Sequence, residues 1–176
     1  MTSKENETVR ALEAALALER SMRVRAEESL RKCTFFLERS QRIGEIGSFI
    51  LDIPEDNPST QTWESTPEMD RIFGIDKDYP RTGDGWLELI VQRDEVAEYF
   101  SNQVFRARRL FAKEYQIIRP KDKEKRWISG RGELEFDSDG KCIRMIGTVQ
   151  DITASKEHEE EMKRLRESLY QAQKME

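Results

Sequence analysis

The pattern of hydrophobic and polar positions changes along the chain and marks three regions. Residues 5–42 contain no proline or glycine and are rich in Ala, Leu, Glu and Arg, which favour helix. Residues 44–153 alternate between short strand-like and short helix-like patterns, and residues 154–176 return to a charged helical pattern. The sequence therefore predicts a domain over residues 44–153, preceded by a helix over residues 1–43 and followed by a helix from residue 154.

The first helix carries a single apolar stripe, because its apolar residues recur mostly three or four positions apart. A run of fours in the middle departs from a strict heptad repeat. Two interpretations fit, a solvated helix or a two-stranded coiled coil with a second copy of the chain. The coiled coil is favoured, since so long a helix rarely stands alone in water. The stripe consists of Leu12, Leu16, Leu18, Met22, Ala26, Leu30, Cys33 and Leu37.

The central region begins with two strand patterns and ends with three. Residues 47–53 alternate apolar and polar positions, as a strand with one buried face does, and residues 60–64 predict a short second strand. From residue 110 the period is two again. A charged turn at residues 121–125 and an Asp-Gly turn at residues 137–140 separate the last three strands, which are expected to pair as hairpins.

Residues 65–109 predict three short helices between these two groups of strands. Ser65 or Thr66 caps the first, residues 86–90 form one apolar turn, and Asp94 caps a longer third helix. Two strands, three helices and three hairpin-connected strands are typical of an α+β fold. We expect one five-stranded antiparallel sheet with helices on one face, and the last strand beside the first near the sheet centre.

A group of large apolar side chains is expected to converge between the sheet and the helices. They form either a packed core or the wall of a small apolar cavity for a ligand. The nearby cations Lys113, Arg119 and Arg126 are expected to point to water. The candidate pocket residues are Trp63, Phe73, Trp86, Tyr99, Tyr115 and Ile117.

Residues 142–153 join the domain to the last helix. An apolar strand ends in Asp151, Ile152 and Thr153, and a charged helical sequence follows at once. Val149 and Ile152 suit burial, whereas Asp151 and Thr153 carry short side-chain oxygens of the kind that cap helix N-termini. A strand that turns directly into a capped helix is a stiff joint, so a shift of the strand should also shift the helix.

Composition narrows the classes of partner. The formal net charge is −5, which argues against nucleic acid, because phosphate contacts need clustered Lys and Arg. Cys33 and Cys142 lie in different kinds of segment and suggest no disulfide framework, so we expect a cytoplasmic location. No stretch approaches the roughly 20 apolar residues of a membrane span, and the first residues do not form a signal peptide.

The ordered set of short motifs resembles a PAS domain, of the subclass whose C-terminal part ends in Gly-x-x-x-Asp-Ile-Thr. The resemblance covers about 110 residues, an ordinary domain size. In the N-terminal half it is carried by Arg42–Phe49 and Asp70–Gly74. In the C-terminal half the matching segments are Glu114-Tyr115-Gln116, Arg126-Trp127-Ile128, Asp137-Ser138-Asp139-Gly140 and Gly147-Thr148-Val149-Gln150-Asp151-Ile152-Thr153.

The end of the chain, residues 165–176, is similar to the linker before the phosphoacceptor helix of bacterial sensor histidine kinases. The resemblance implies a signal-sensing and dimerising regulatory module of a two-component system. It further implies a homodimer through the N- and C-terminal helices, and a downstream histidine kinase domain. Two alternatives stay open, a stand-alone small-molecule-binding protein and a PAS module that regulates a nucleotide cyclase.

In this family the Asp-Ile-Thr motif ties the last strand to the outgoing helix, and its Asp pairs with a nearby Arg. Either Arg126 or Arg131 could supply that partner. The resemblance thus implies a signal-coupling role for Asp151, Thr153, Trp127 and Arg126. A simple helix cap at Asp151 is the alternative, and both can hold at once.

The chain offers no evident set of catalytic residues or cofactor ligands. Haem-binding PAS domains use a histidine on the long helix, where residues 94–109 have none, and flavin photosensors use a cysteine in a setting that Cys33 and Cys142 do not match. The single histidine, His158, suits a helix seam or surface better than phosphotransfer. With one histidine and no cysteine cluster, neither a metal site nor an enzyme is expected, although an unknown small ligand remains open.

Overall fold

The computed structural model describes residues 3–54 and 61–174. The chain divides into two compact units between Ser40 and Gln41. Helix α1, Ser3–Ile43, makes up the first unit and contributes its last residues to the second. The second unit contains the sheet and the last helix together. The sequence places domain boundaries after residue 43, which is the last residue of α1, and after residue 153, which is the first residue of α5; this three-part division stays a prediction.

Helix α1 presents its apolar stripe to solvent. The described large apolar side chains on α1 expose between 48% (Leu16) and 83% (Ile43) of their surface. Arg23 and Glu27, one turn apart, form an ion pair of 2.8 Å that supports the helix locally. The coiled coil expected from the stripe stays a prediction, because it needs a second copy of the chain.

The second unit is built on the predicted five-stranded antiparallel sheet, with the strand order β2-β1-β5-β4-β3. The last strand lies beside the first, so this expectation is confirmed. The start of the predicted second strand at Thr60 lies outside the described residues. The strands are β1 Ile46–Asp52, β2 Thr62–Ser65, β3 Phe111–Ile118, β4 Lys125–Phe136 and β5 Cys142–Asp151.

Three short α-helices connect β2 to β3, and a fourth segment continues the third of them. The helices are α2 Pro67–Phe73, α3 Gly83–Leu89 and α4 Arg93–Tyr99, followed by a π-helical segment, Phe100–Arg106. After the sheet comes α5, Thr153–Lys174. No helix within the described residues is both long and apolar enough to cross a membrane.

The helix starts differ from the sequence expectations in three places. Helix α3 begins at Gly83 rather than at residue 86, and the hydroxyl of its N-cap residue Thr82 accepts from the Gly85 N–H (3.2 Å). Thr66 occupies the N-cap position of α2, but its hydroxyl accepts from the Ser48 N–H of β1 (3.0 Å) rather than from the helix. The third helix begins at Arg93, so Asp94 lies inside it. Its N-cap residue Gln92 is held by β3, where the Gln116 N–H donates to the Gln92 amide oxygen (3.1 Å).

The core lies between the helices and one face of the sheet. An aromatic cluster occupies its middle, where Trp86 meets Phe100, Phe111 and Tyr115 edge-on at centroid distances of 6.0–6.1 Å. Burial of each such apolar side chain contributes about 1.5–3 kcal/mol. The most deeply buried side chains are Tyr115, Phe73, Ile53, Ile117, Ile128, Val96, Val104 and Val149.

Candidate signal-coupling junction and internal cavity

The end of β5 is hydrogen-bonded to two other segments where α5 begins. The Asp151 N–H donates to the Glu45 carbonyl, in the turn before β1 (3.2 Å). The Ile152 N–H donates to the Trp127 carbonyl on β4 (2.9 Å). The first helical hydrogen bond of α5, from the Lys156 N–H to the Ile152 carbonyl, follows directly (3.0 Å). The strand therefore passes into the helix without a free linker.

The side-chain oxygens of Asp151 and Thr153, both proposed as helix caps, accept hydrogen bonds from backbone N–H groups. The N–H bound by Asp151 belongs to α5, and the one bound by Thr153 belongs to β4. Asp151 Oδ1 accepts from the Thr153 N–H (2.9 Å), which satisfies the first N–H group of α5. Thr153 Oγ1 instead accepts from the Trp127 N–H (2.9 Å) and so fastens the first residue of α5 to β4. Ile152 occupies the N-cap position, because α5 begins at Thr153.

The charge partner of Asp151 is Arg126 rather than Arg131. Arg126 Nη1 lies 3.7 Å from Asp151 Oδ2, and Arg126 also contacts Glu124. The hydrogen bond to Glu124 raises the pKa of the Arg126 guanidinium most, and the negative charge of Asp151 raises it further. Arg131 is exposed on β4 opposite Thr148. Of the three cations expected to point to water, Arg126 is therefore paired at the junction.

The other two cations are also held by ion pairs. Lys113 Nζ lies 2.8 Å from Glu95 and packs over the Tyr99 ring. Arg119 lies 3.0 Å from Asp122, and its side chain is 16% exposed. The Lys113 contact joins β3 to α4, whereas the Arg119 contact lies within the turn between β3 and β4.

Lys156 fixes the first turn of α5 to the sheet, a contact that sequence reasoning missed. Its Nζ lies 2.8 Å from Glu114 on β3 and 5.6 Å from the centre of the Trp127 ring on β4. The hydrogen bond to Glu114 raises the Lys156 pKa. The only sequence signal was the position of Lys156, one turn beyond Ile152 on the expected helix.

The chain enters the sheet at the same end at which it leaves. Ile46, the first residue of β1, lies opposite Gln150 in β5. The buried Gln41 donates from Nε2 to Ser48 Oγ (2.9 Å), and Gln150 donates from Nε2 to the Gly44 carbonyl (3.3 Å). The incoming segment and the outgoing helix are thus attached to two neighbouring central strands.

A small cavity of about 40 Å³ lies between the sheet and the helices. Of the six predicted pocket residues, Trp63, Trp86 and Tyr115 line it. Phe73 and Ile117 are buried in the core elsewhere, and Tyr99 is half-buried with its hydroxyl on the Ala112 carbonyl (3.2 Å). The other lining residues are Phe49, Leu51, Gln61, Met69, Gly83, Phe100, Phe111, Met145 and Val149.

The cavity wall is apolar apart from a few polar groups, of which sequence reasoning did not single out Gln61. Gln61 Oε1 is buried and has no hydrogen-bond partner within the described part of the chain. Burial raises the Tyr115 pKa, and a hydrogen bond with Trp86 acts in the opposite direction. The Trp63 indole N–H donates to the Thr82 carbonyl (3.0 Å), and Arg81 covers its ring from outside.

Among the residues that the structure describes, no three His, Cys, Asp or Glu side chains come together as a metal site. His158 is exposed on α5, in line with Met162 and Leu165. Cys142 is buried on β5 and Cys33 is exposed on α1.

The fold and the site define a sheet-and-helix module with a small internal cavity and a helix fixed to its last strand. The family described as PAS fold matches residues 62–149, half of the 176-residue chain. The chain belongs to this family, and the PAS fold expected from its motifs is confirmed. A comparison with curated proteins finds no match.

Several solved structures share this fold. A sensory box histidine kinase/response regulator from Burkholderia thailandensis E264 is similar over 77% of this chain and 98% of its own, with a TM-score of 0.55 and 20% identity. The N-terminal domain of a diguanylate cyclase with a PAS/PAC sensor from Marinobacter aquaeolei is similar over 63% of this chain and 98% of its own, with a TM-score of 0.55 and 14% identity. An RNA-binding light-oxygen-voltage receptor is similar over 79% of this chain and 38% of its own, with a TM-score of 0.52 and 15% identity.

Proposed function

We propose that this chain is the signal-sensing and dimerising regulatory module of a two-component sensor histidine kinase. State changes of the sheet pass through Asp151, Ile152 and Thr153 to α5. The observation that carries the proposal is the double attachment of the junction, where Asp151 at the end of β5 binds Glu45 before β1, and Ile152 and Thr153 bind Trp127 on β4. Membership of the PAS fold family supports a sensory role.

The proposed signal is a small rotation or shift of the helices between two states of the module. Such a change requires that α5 follows the sheet, which the short junction favours. It also requires a second copy, since a rotating helix needs a partner to act against. Support for a homodimer comes from the exposed stripe of α1 and from Met162, Leu165 and Leu169 on α5, which are 40–59% exposed.

The cavity favours this role over that of a stand-alone ligand-binding protein. Its volume of about 40 Å³ is far below the roughly 300–1,000 Å³ of pockets for drug-sized ligands. A ligand of that size would have to displace the aromatic cluster around Trp86. The cavity instead borders β5 at Val149, so changes in the packing around it would reach the strand that leads to the junction.

A nucleotide cyclase is the alternative output. The N-terminal domain of a diguanylate cyclase with a PAS/PAC sensor from Marinobacter aquaeolei has the same fold. The kinase is preferred, because residues 165–176 are similar to a linker that precedes a phosphoacceptor helix. The two outputs differ in the domain that α5 leads into, whereas the junction would act alike in both.

The proposal is tested by joining α5, in helical register, to the phosphoacceptor and catalytic domains of a histidine kinase. Val149→Ala serves as the input, because Val149 lines the cavity two residues before Asp151. We expect this substitution to change autophosphorylation of the fusion, and Asp151→Ala to abolish that dependence while the domain stays folded. Loss of the cap costs only about 1 kcal/mol.

Asp139→Ala is the matched control. It removes an exposed carboxylate from the turn at the other end of β5, so the response to Val149→Ala should persist. A response that is equally large in the Asp151→Ala fusion would refute the role of the junction.

A further inference from the structure

Helix α2 is in direct contact with both the cavity and β1. Met69 lines the cavity. A Cβ atom added to Gly47 on β1 would lie only 2.5 Å from the Met69 Cα, so the two backbones touch. The Thr66 N–H also donates to the Ser48 carbonyl (2.9 Å). Because the α2 and β1 backbones are in contact at this point, a displacement of α2 would act directly on β1.

The opposite side of α2 carries a cation that faces the junction. Arg71 binds Glu68 with two nitrogens, Nε at 3.0 Å and Nη2 at 2.6 Å from Oε1. The Glu68 side chain is only 6% exposed, so this pair holds the guanidinium in place. From there Arg71 Nη2 lies 3.9 Å from Glu45 Oε1. The hydrogen bond to Glu68 raises the Arg71 pKa most. The negative charges of Glu45 and Asp151 raise it further.

Glu45 connects this cation to the outgoing helix. Its carbonyl accepts the N–H of Asp151, the last residue of β5. Asp151 in turn holds the first N–H of α5. The charges of Arg71, Glu45 and Asp151 thus meet where the chain enters and leaves the sheet, and only Arg71 among the three belongs to the helix that lines the cavity.

We infer that Arg71 is a positioning residue through which the cavity-lining helix α2 sets the position of the Glu45 turn and, with it, the end of β5 at Asp151. The inference rests on the proposed function, because it supplies the input to the same junction. The pair of Arg71 and Glu45 is about half exposed on both sides. Half-exposed ion pairs contribute little to stability, so losing this contact should change amide exchange rates at the junction by only about two- to fivefold.

The direct test removes the contact between Arg71 and Glu45 and leaves the pair of Arg71 and Glu68 intact. Truncating Arg71 alone would leave the Glu68 carboxylate buried without its partner, which can unfold the domain. Glu45→Gln avoids this, because it keeps the size of a half-exposed side chain and removes only its charge. The measurement is amide hydrogen exchange by NMR at Asp151 and Thr153 in the full 176-residue chain.

Met69→Ala provides the input from the cavity wall, with Met69→Leu as a milder version should the first lower the folded population. We expect Met69→Ala to speed exchange of the Asp151 amide about two- to fivefold in the otherwise native chain, and to have little effect in Glu45→Gln. Because the contact is ionic and half exposed, about 0.5 M salt should reduce the native response in the same way.

Two further variants separate the possible causes. Glu68→Gln/Arg71→Gln replaces the Arg71–Glu68 ion pair with a neutral pair, and it should suppress the response as Glu45→Gln does. Glu133→Gln removes an exposed carboxylate from the outer face of β4 and should leave the response intact. A response that persists in either Glu45→Gln or the double variant would overturn the role of Arg71.

Failure of this inference can be told apart from failure of the proposed function. Asp151→Ala is measured in the same experiment, by exchange in the first turn of α5. If Asp151→Ala leaves that turn unchanged, the junction itself does not act as proposed. If Asp151→Ala speeds exchange there but Glu45→Gln does not alter the response to Met69→Ala, only the assignment of Arg71 fails.

Discussion

Thr153→Val tests whether the first residue of α5 is fastened to β4 by its hydroxyl group. Valine keeps the branched shape of threonine and replaces only the oxygen, which accepts the Trp127 N–H at 2.9 Å. The Trp127 carbonyl would still accept from the Ile152 N–H. The variant therefore removes one of the two backbone attachments between β4 and the start of α5.

The expected magnitude follows from what the Trp127 N–H loses. A typical hydrogen bond contributes about 0.5–1.5 kcal/mol net, and a donor that stays without a partner costs about 1–3 kcal/mol. Because Trp127 is half-buried, water can replace the lost hydrogen bond to its N–H, and the range of about 0.5–1.5 kcal/mol applies. We expect a loss of about 1 kcal/mol in local stability, which corresponds to about fivefold faster exchange of the Trp127 amide.

The assay is amide exchange by NMR, combined with urea unfolding. Exchange should rise at Trp127 and in the first turn of α5, while amides in β3 near Tyr115 change only with global stability. Thr148→Val is the matched control, since Thr148 is exposed on the outer face of the neighbouring strand β5. Equal exchange rates at Trp127 in the two variants would refute the reasoning.

Two further predictions concern the core. Burial raises the Tyr115 pKa, so the unfolded chain releases this proton first and stability should fall above pH of about 10, by about 1.4 kcal/mol per pH unit. Tyr115→Phe should remove this part of the pH dependence in urea unfolding and the exposed Tyr170→Phe should not; identical slopes in both would contradict the assignment. Gly147→Ala would place a Cβ against the Arg131 carbonyl and 2.5 Å from the Phe49 ring, so it should cost about 1–3 kcal/mol. Thermal unfolding checks this, and an unchanged midpoint would show that the central strands can separate to accept a methyl group.

The sheet order could be predicted from the sequence because its last three strands are joined by short turns. Local hairpins place β3, β4 and β5 side by side, and the remaining two strands must then pair at the free edge of β5. The role of Asp151 at the start of α5 was likewise visible, since a short acidic side chain directly before a charged helical pattern is a local signal.

Contacts between distant segments could not be predicted in this way. The start of α4 depends on a hydrogen bond between Gln92 and Gln116, and the docking of α5 depends on Lys156 reaching Glu114 on β3. Neither partner is marked by spacing in the sequence. Gln61 reaches the cavity only because Gly83 leaves room for its amide group.

The candidate pocket shows the same limit. All six predicted residues are large and apolar, and such a pattern identifies burial but not which side chains border an empty space. Trp63, Trp86 and Tyr115 border the cavity, whereas Phe73 and Ile117 pack without a gap. Which residues line the space depends on the packing of α2 and α3 on the sheet, since Met69, Gly83 and Trp86 on these helices border it.

The most direct test of the central claim is the distance between spin labels on the sheet and on α5. Labels at Glu133 on β4 and Glu167 on α5 occupy exposed positions of the same unit. If sheet and helix move together, the distance distribution is narrow, shifts as a whole with Val149→Ala, and broadens in Asp151→Ala. A broad distribution that ignores both substitutions would show that α5 moves independently of the domain.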